Sequence, residues 1–198
     1  MEQLKQSNST PITPFPPYIF KFHYDFDWDS IKDKIYQTFD TVPNVSELEL
    51  GDSKSTLFDQ AHPPHEWPEL QDYFTWLHGP LSETWTAMNY NYYAKQTSYQ
   101  NSWFNIHRKT GETAEHQHAY TELVITTYFQ LPKGSGYIEF RDPLEYHKAH
   151  TPINHEHELW KEVPCVTGDI LIFPGWLKHR VQPNNTDNDR IVMTVNVA

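Results

Sequence analysis

From about Gln96 to the end, the chain is punctuated by turn signals and shows no helical period, and this limits its fold more than any other feature. Asn101–Ile106 runs into the turn Lys109–Thr110–Gly111, and Thr121–Phe129 runs into Pro132–Lys133–Gly134–Ser135–Gly136. Tyr137–Phe140 follows, and after a polar stretch come Val163–Val166, Asp169–Phe173 and Ile191–Val197. Short β-branched and aromatic runs bounded by Gly, Pro and Asn are expected strands. Strands that succeed one another without helices between them pair antiparallel, and their apolar faces must be covered by a second layer. The expected fold is therefore mainly β: a double-stranded β-helix, or jelly roll, whose sheets taper to a mouth that can hold a metal and a ligand.

The first ninety residues differ in texture. Residues 1–17 carry Ser, Thr and four prolines (Pro11, Pro14, Pro16, Pro17) and read as a flexible lead-in. Tyr18–His23 alternates like a strand. Asp27 or Asp29 is placed to cap a helix whose face is Ile31, Ile35 and Phe39, and residues 42–64 read as loop. A second helix, from Trp67 to about Asn89, aligns Leu70, Phe74, Trp76, Leu77, Leu81, Trp85 and Met88, with a break expected at Gly79–Pro80. The expected organisation is one domain over residues 18–198. In it, residues 18–95 form a helical buttress packed on one sheet and residues 96–198 form the jelly-roll core. The polar, histidine-rich stretch 142–162 reads as an insertion.

Charge and motifs narrow the function. With 15 basic and 26 acidic residues the net charge is −11, which repels a polyanion and argues against broad nucleic-acid binding. Apolar runs such as Asp169–Pro174 are too short to cross a bilayer, and the first residues lack the apolar core of a signal peptide. The single cysteine, Cys165, suits a reducing cytoplasm and reads as a small buried hydrophobe, because no base is placed beside it. Gly134–Ser135–Gly136 lacks the lysine and helix of a phosphate-binding loop, and no nucleophile elbow or Cys-x-x-Cys pair occurs.

What remains is histidine. Twelve are present, and Glu115–His116–Gln117–His118 is the sharpest local pattern. On a strand, residues two apart face the same way, so His116 and His118 can reach one metal. A third ligand must come from elsewhere, and His179, just beyond the run Gly168–Gly175 with its terminal Pro-Gly turn, is a candidate. Alone, His-x-His is a weak signal. Arg190 adds to it: eleven residues after His179, at the head of the last strand, an inward-facing guanidinium can grip a carboxylate with two parallel hydrogen bonds. The bland alternative is a surface arginine paired with Asp187 or Asp189.

His116–Gln117–His118, Thr127–Pro132, Gly136–Pro143, Gly168–Pro174, Leu177–Lys178–His179 and Arg190–Val192, in that order and spacing, resemble the Fe(II)/2-oxoglutarate-dependent oxygenases, and more narrowly a subgroup found in bacteria and phages. The resemblance implies Fe(II) held by His116 and His179, 2-oxoglutarate as cosubstrate with its far carboxylate on Arg190, and O2 as oxidant. It also places Asn105 and Tyr128 against the cosubstrate. It implies decarboxylation of 2-oxoglutarate to succinate coupled to hydroxylation of a C–H bond, in a cytoplasm that is the host's if a phage encodes the chain. The substrate is open between a protein side chain, proline included, and a small metabolite.

Where most of this superfamily has Asp or Glu two residues after the first histidine, the chain has His118. Three histidines are preferred as the ligand set; the alternative keeps His118 outside and draws a carboxylate from Glu122, Glu139 or Asp142. A second reading, by resemblance to the cupin motifs, is a metal-dependent enzyme or binding protein using His116, His118, Glu122 and His179, with all three of the first on one face if the strand is continuous. Arg190 is superfluous to that reading. A third is a non-catalytic structural or interaction protein of a phage particle or host complex, supported by the acidic charge and by the histidine-rich insertion, where a second His-x-His, His155 and His157, lies beside His147 and His150.

Overall fold

The apolar stretches of the second half become strands because their residues are β-branched or aromatic and because both of their faces find cover. The computed structural model describes residues 18–42, 47–59, 61–89, 98–145 and 159–198. In chain order the elements are β1 (Phe20–His23), α1 (Trp28–Thr41), β2 (Glu49–Leu50), β3 (Ser53–Ser55), α2 (Gln71–Ala87), β4 (Tyr99–His107) and β5 (Glu112–His116). They continue as β6 (Leu123–Gln130), β7 (Ile138–Arg141), β8 (Trp160–Val163), β9 (Asp169–Pro174), β10 (His179–Val181) and β11 (Arg190–Val197). The strands form two antiparallel sheets, β1-β9-β6-β11-β4-β3 and β2-β5-β10-β7-β8. This is the expected jelly roll.

Within the six-stranded sheet, side chains alternate between two covered environments. Phe104 and Ile106 of β4, Ile125 and Phe129 of β6, Ile170 and Ile172 of β9, and Ile191, Met193 and Val195 of β11 share one core with Ile31, Ile35 and Phe39 of α1 and Leu77, Leu81 and Trp85 of α2. The opposite face of the same strands carries Val124, Tyr128, Leu171, Phe173 and Val192, which pack with Ile138 and Phe140 of β7. A sheet buried on both sides has no solvent face to mark with polar residues, so Asp169–Phe173 reads as a continuous apolar run. The helices thus lie on one sheet, as expected, and a buried bond of 2.7 Å between the hydroxyls of Tyr73 and Thr127 pins α2 there.

Several local expectations change. Asp27 occupies the N-cap position of α1 without a side-chain cap bond; instead Ser30 Oγ donates to the Asp27 carbonyl at 2.7 Å. α2 runs unbroken through Pro80. An interior proline costs about 3 kcal/mol and crowds the residue before it. Here that residue is Gly79, which has no Cβ to crowd, and Pro80 is buried with Leu77, Leu81 and Trp85 against the sheet. Residues 42–64 are not all loop, since β2 and β3 lie among them. The strand expected at Val163–Val166 starts earlier, at Trp160, and stops before Pro164, which has no N–H for the ladder. Residues 1–17, and His147, His150, His155 and His157, lie outside the described residues. Among those described, no helix is long and apolar enough to cross a membrane.

Candidate metal centre

β5 and β10 are neighbours in the five-stranded sheet, and their register sets His116 opposite His179, with ring centroids 4.2 Å apart. The third histidine arrives differently. β5 ends at His116, so His118 sits beyond the strand in a bend that leads to Tyr120, whose φ is +60°. Strand alternation does not aim it. Its position comes from docking on the turn after β9: the His118 N–H donates to the Gly175 carbonyl at 2.8 Å, and the Gly175 N–H donates to the Glu122 carbonyl at 3.1 Å. A Cβ at residue 175 would lie 2.3 Å from the Thr121 carbonyl oxygen, so glycine is what permits the approach.

The result is a cluster in which one nitrogen from each of His116, His118 and His179 lies within 4.8 Å of the others. The opposite nitrogens are engaged. His116 Nδ1 donates to the Ala114 carbonyl and His179 Nδ1 to the Leu177 carbonyl, each at 2.8 Å, and His118 Nδ1 donates to Asn196 Oδ1 at 2.7 Å. A proton on every Nδ1 leaves every Nε2 with a lone pair, which is the tautomer a metal needs. His118 Nε2 is buried and has no partner among the described residues. Burial also keeps the rings neutral. It lowers His116, it lowers His179 well below the usual range, and together with the neighbouring His116 it brings His118 down to about 4. Phe173 closes over His179 at 4.9 Å between centroids, and Trp103 stacks on His118 at 5.8 Å. A donor set of three neutral imidazoles, His179 buried and His116 and His118 half-buried, fits a divalent transition metal.

The carboxylates considered as alternatives stand elsewhere. None of Glu122, Glu139 and Asp142 belongs to the cluster. Glu139 accepts from Arg180 Nε at 2.7 Å, and Asp142 Oδ1 accepts from the Leu144 N–H at 2.8 Å. The continuous strand that would bring Glu122 beside the histidines is interrupted between Gln117 and Glu122, which removes the geometric basis of the four-ligand cupin set.

The histidines open onto a cavity of about 210 Å³ whose wall includes Trp103, Asn105, Thr126, Tyr128, Thr194 and Asn196. These are the inward members of β4, β6 and β11, so Asn105 and Tyr128 both face the cavity. Asn105 Oδ1 is buried without a partner among the described residues, and burial raises the Tyr128 hydroxyl well above its usual pKa. Arg190 occupies the same inward row as Val192, Thr194 and Asn196, at the far end of β11, and is fully buried. It is no surface arginine: Asp187 pairs with Lys109, while Asp189 accepts from Tyr36. Its guanidinium donates to the Ser135 and Gly111 carbonyls and to His107 Nδ1, and among the described residues no carboxylate pairs with it. Burial lowers its pKa to about 10, still charged at neutral pH.

Sequence reading passed over Asn196, Glu49, His107 and Thr113, all of which line this cavity. Part of the signal was available, because Thr194 and Asn196 are polar residues two apart, sharing one face with Arg190 in a run otherwise fit for a buried strand. The three tryptophans of the second half, Trp103, Trp160 and Trp176, divide. Trp103 lines the cavity, whereas Trp160 lies under Arg180 at 4.2 Å and Trp176 is half exposed against Tyr18.

Residues 101–196 match a family model described as "Putative 2OG-Fe(II) oxygenase". Among curated proteins no sequence matches the chain. Solved structures of similar fold include a prolyl-4-hydroxylase of Pseudomonas putida, at 10% identity and a TM-score of 0.56, over 90% of this chain and 91% of that one. The viral collagen prolyl hydroxylase of Paramecium Bursaria Chlorella virus-1, solved as its 2OG complex, aligns at 10% identity and a TM-score of 0.58, over 91% and 96%. HygX from Streptomyces hygroscopicus, with nickel, 2-oxoglutarate and hygromycin B bound, aligns at 13% identity and a TM-score of 0.56, over 91% and 82%. At these identities the likeness is one of fold.

Proposed function

We propose that the chain is a 2OG-Fe(II) oxygenase, the family whose model residues 101–196 match, in which His116, His118 and His179 hold the iron, Arg190 anchors the far carboxylate of 2-oxoglutarate, and Asn105 and Tyr128 contact the cosubstrate between them. The activity is that of the family, hydroxylation of a C–H bond coupled to decarboxylation of 2-oxoglutarate to succinate, and the bound iron supplies the dioxygen chemistry. The protein contributes position and dryness. Three neutral imidazoles leave the charge of a bound cation uncompensated, which favours an anionic cosubstrate over a neutral one. The inward polar row of β11 and β4 holds that cosubstrate's length, while Trp103 and Phe173 exclude water around the ligand rings.

The observation that carries these roles is the buried Arg190 without a carboxylate partner. A buried charge is costly unless paired, so a guanidinium held only by carbonyls and an imidazole is a standing receptor for an anion. The substrate is a protein side chain or a small metabolite, and the setting a reducing cytoplasm, in keeping with a single buried cysteine. The −11 charge argues against a broad nucleic-acid partner. Anaerobic titration of the Fe(II) protein with 2-oxoglutarate tests the reading. Chelation of the metal gives a weak visible charge-transfer band, and Arg190→Ala weakens 2-oxoglutarate binding about a hundredfold, as expected for a buried charged pair losing one partner. No band in the wild type, or an unchanged affinity in the variant, rejects it.

A further inference from the structure

Glu49, His107 and Thr113 form part of the cavity wall, and from there a buried chain of three side chains, drawn from three strands, leads to Arg190. Glu49 of β2 stands opposite Thr113 of β5, and His107 of β4 stands opposite Arg190 of β11. Glu49 Oε2 accepts from His107 Nε2 at 2.7 Å. Thr113 Oγ1 lies 2.9 Å from the same His107 nitrogen and donates to both Glu49 oxygens, at 3.1 and 3.3 Å. On the other side of the ring, His107 Nδ1 accepts from Arg190 Nε at 3.3 Å. The side chains of Glu49 and His107 are 5% and 1% exposed. A carboxylate, an imidazole and a guanidinium are thus linked in series, with the imidazole between the two charges.

We propose that Glu49 and His107 are positioning residues for Arg190: Glu49 fixes the tautomer of His107, and His107 then holds the Nε edge of the guanidinium so that its terminal nitrogens face the cosubstrate's carboxylate. The inference rests on the reading of Arg190 as that anchor.

The tautomer follows from the acceptors. Arg190 Nε can only donate, so His107 Nδ1 must carry the lone pair and Nε2 the proton. The carboxylate of Glu49 takes that proton's hydrogen bond and locks the arrangement. Burial lowers the His107 pKa, and the neighbouring Arg190 lowers it further against the pull of Glu49, in keeping with a neutral ring. The guanidinium has five N–H donors. Three are committed: Nε to His107, one on Nη1 to the Ser135 carbonyl and one on Nη2 to the Gly111 carbonyl. One N–H on each terminal nitrogen remains to donate to a ligand carboxylate.

The placement of the negative charge is the physical point. A glutamate in direct contact with Arg190 would neutralise it and occupy the donors that a ligand carboxylate needs. Glu49 instead acts through a neutral ring, so it orients the guanidinium and offsets part of the cost of burying it without closing the receptor. The backbone cooperates. Gly111, whose carbonyl receives Nη2, lies so close to the Asp52 carbonyl that a Cβ there would sit 2.6 Å from its oxygen.

Two 2-oxo acids separate this role from general damage. 2-Oxoglutarate needs Arg190, whereas 2-oxobutyrate offers the same metal-chelating end without the far carboxylate. Calorimetric titration of each into the anaerobic Fe(II) protein gives both dissociation constants and their ratio. In His107→Leu the constant for 2-oxoglutarate rises about tenfold, the worth of one lost hydrogen bond to a charged group, while that for 2-oxobutyrate does not move. His107→Asn, whose side-chain oxygen stands near the place of Nδ1, and Glu49→Gln, which still accepts from Nε2, both stay within about threefold of wild type. Glu49→Leu leaves only Thr113 as acceptor and falls between, and it carries the comparison if His107→Leu does not fold. A ratio unchanged in both leucine variants, or equal weakening of the two acids, overturns the proposal. A wild type that does not prefer 2-oxoglutarate to 2-oxobutyrate overturns the reading of Arg190 itself, and the proposal with it.

Discussion

Replacing Asn196 by leucine isolates the one bond that orients His118 and can be removed without touching a ligand. The Nδ1 atoms of His116 and His179 donate to backbone carbonyls two residues earlier, beyond the reach of side-chain substitution. His118 depends on Asn196 Oδ1, 2.7 Å away on the last strand. Leucine keeps the volume and loses the acceptor, so the ring no longer has a preferred tautomer or rotation. Loss of such an outer hydrogen bond costs roughly 10–100-fold in metal affinity, or about 1.4–2.7 kcal/mol. Trp103 still stacks on the His118 ring with an interplanar angle of 19°, which restrains part of that freedom. The expected effect therefore lies near the lower end, about tenfold weaker Fe(II) binding. The assay is anaerobic competition for Fe(II) against a chromogenic chelator, with Asn196→Asp as the partner variant. Aspartate accepts the same hydrogen and retains wild-type affinity or exceeds it. An unchanged Fe(II) constant in Asn196→Leu would mean that His118 is not a ligand held in this way, and equal loss in both variants would assign the effect to something other than the bond.

Other perturbations separate fold from site. Leu77→Ala empties a fully buried position in the helix-covered core and is expected to cost about 3 kcal/mol in urea unfolding, with the Fe(II) constant unchanged because Leu77 lies on the opposite face of the sheet from the histidines. Asp169 joins β9 to β1 by accepting from Lys21 at 2.6 Å and His23 at 3.0 Å. Burial alone would push its carboxyl up, but Lys21, His23 and the Val166 N–H reverse this and hold it below the ordinary 3.8. Its contribution is therefore present above about pH 4 and lost as the pH falls through the lowered pKa. The bond from Asp169 raises His23 above 6.5, so the His23 part is present below that value and lost as the pH rises through the raised pKa. Asp169→Asn is then most destabilised relative to wild type near pH 5–6, less at pH 8 and least below pH 3. A pH-independent difference between the unfolding curves would contradict the linkage.

The two sheets were readable because each strand's composition answers to its surroundings. Runs buried on both faces are apolar throughout, and turns are marked by glycine and proline. Asp169–Phe173 and Ile191–Val197 needed no partner to be recognised. β2 and β3, two and three residues long with ordinary polar sequences, carry no such mark, and they exist because β5 and β4 offer them edges. Gly79–Pro80 misled for the related reason that propensity is local while the cover over α2 is not.

His116, His118, His179 and Arg190 could be nominated from the sequence, where His-x-His alone is weak but gains weight from a histidine just past the Pro-Gly turn and an arginine at the head of a buried strand. What the chain could not disclose by itself is how they are held. His118 is placed by a turn more than fifty residues away, at Gly175, rather than by strand alternation. Glu49 meets His107 across 58 residues, and His107 meets Arg190 across 83. Local sequence sets which side chains a strand presents and to which face. Only the register between distant strands brings particular pairs within hydrogen-bond reach, because a bond of about 3 Å tolerates no slip of a residue's rise along the sheet.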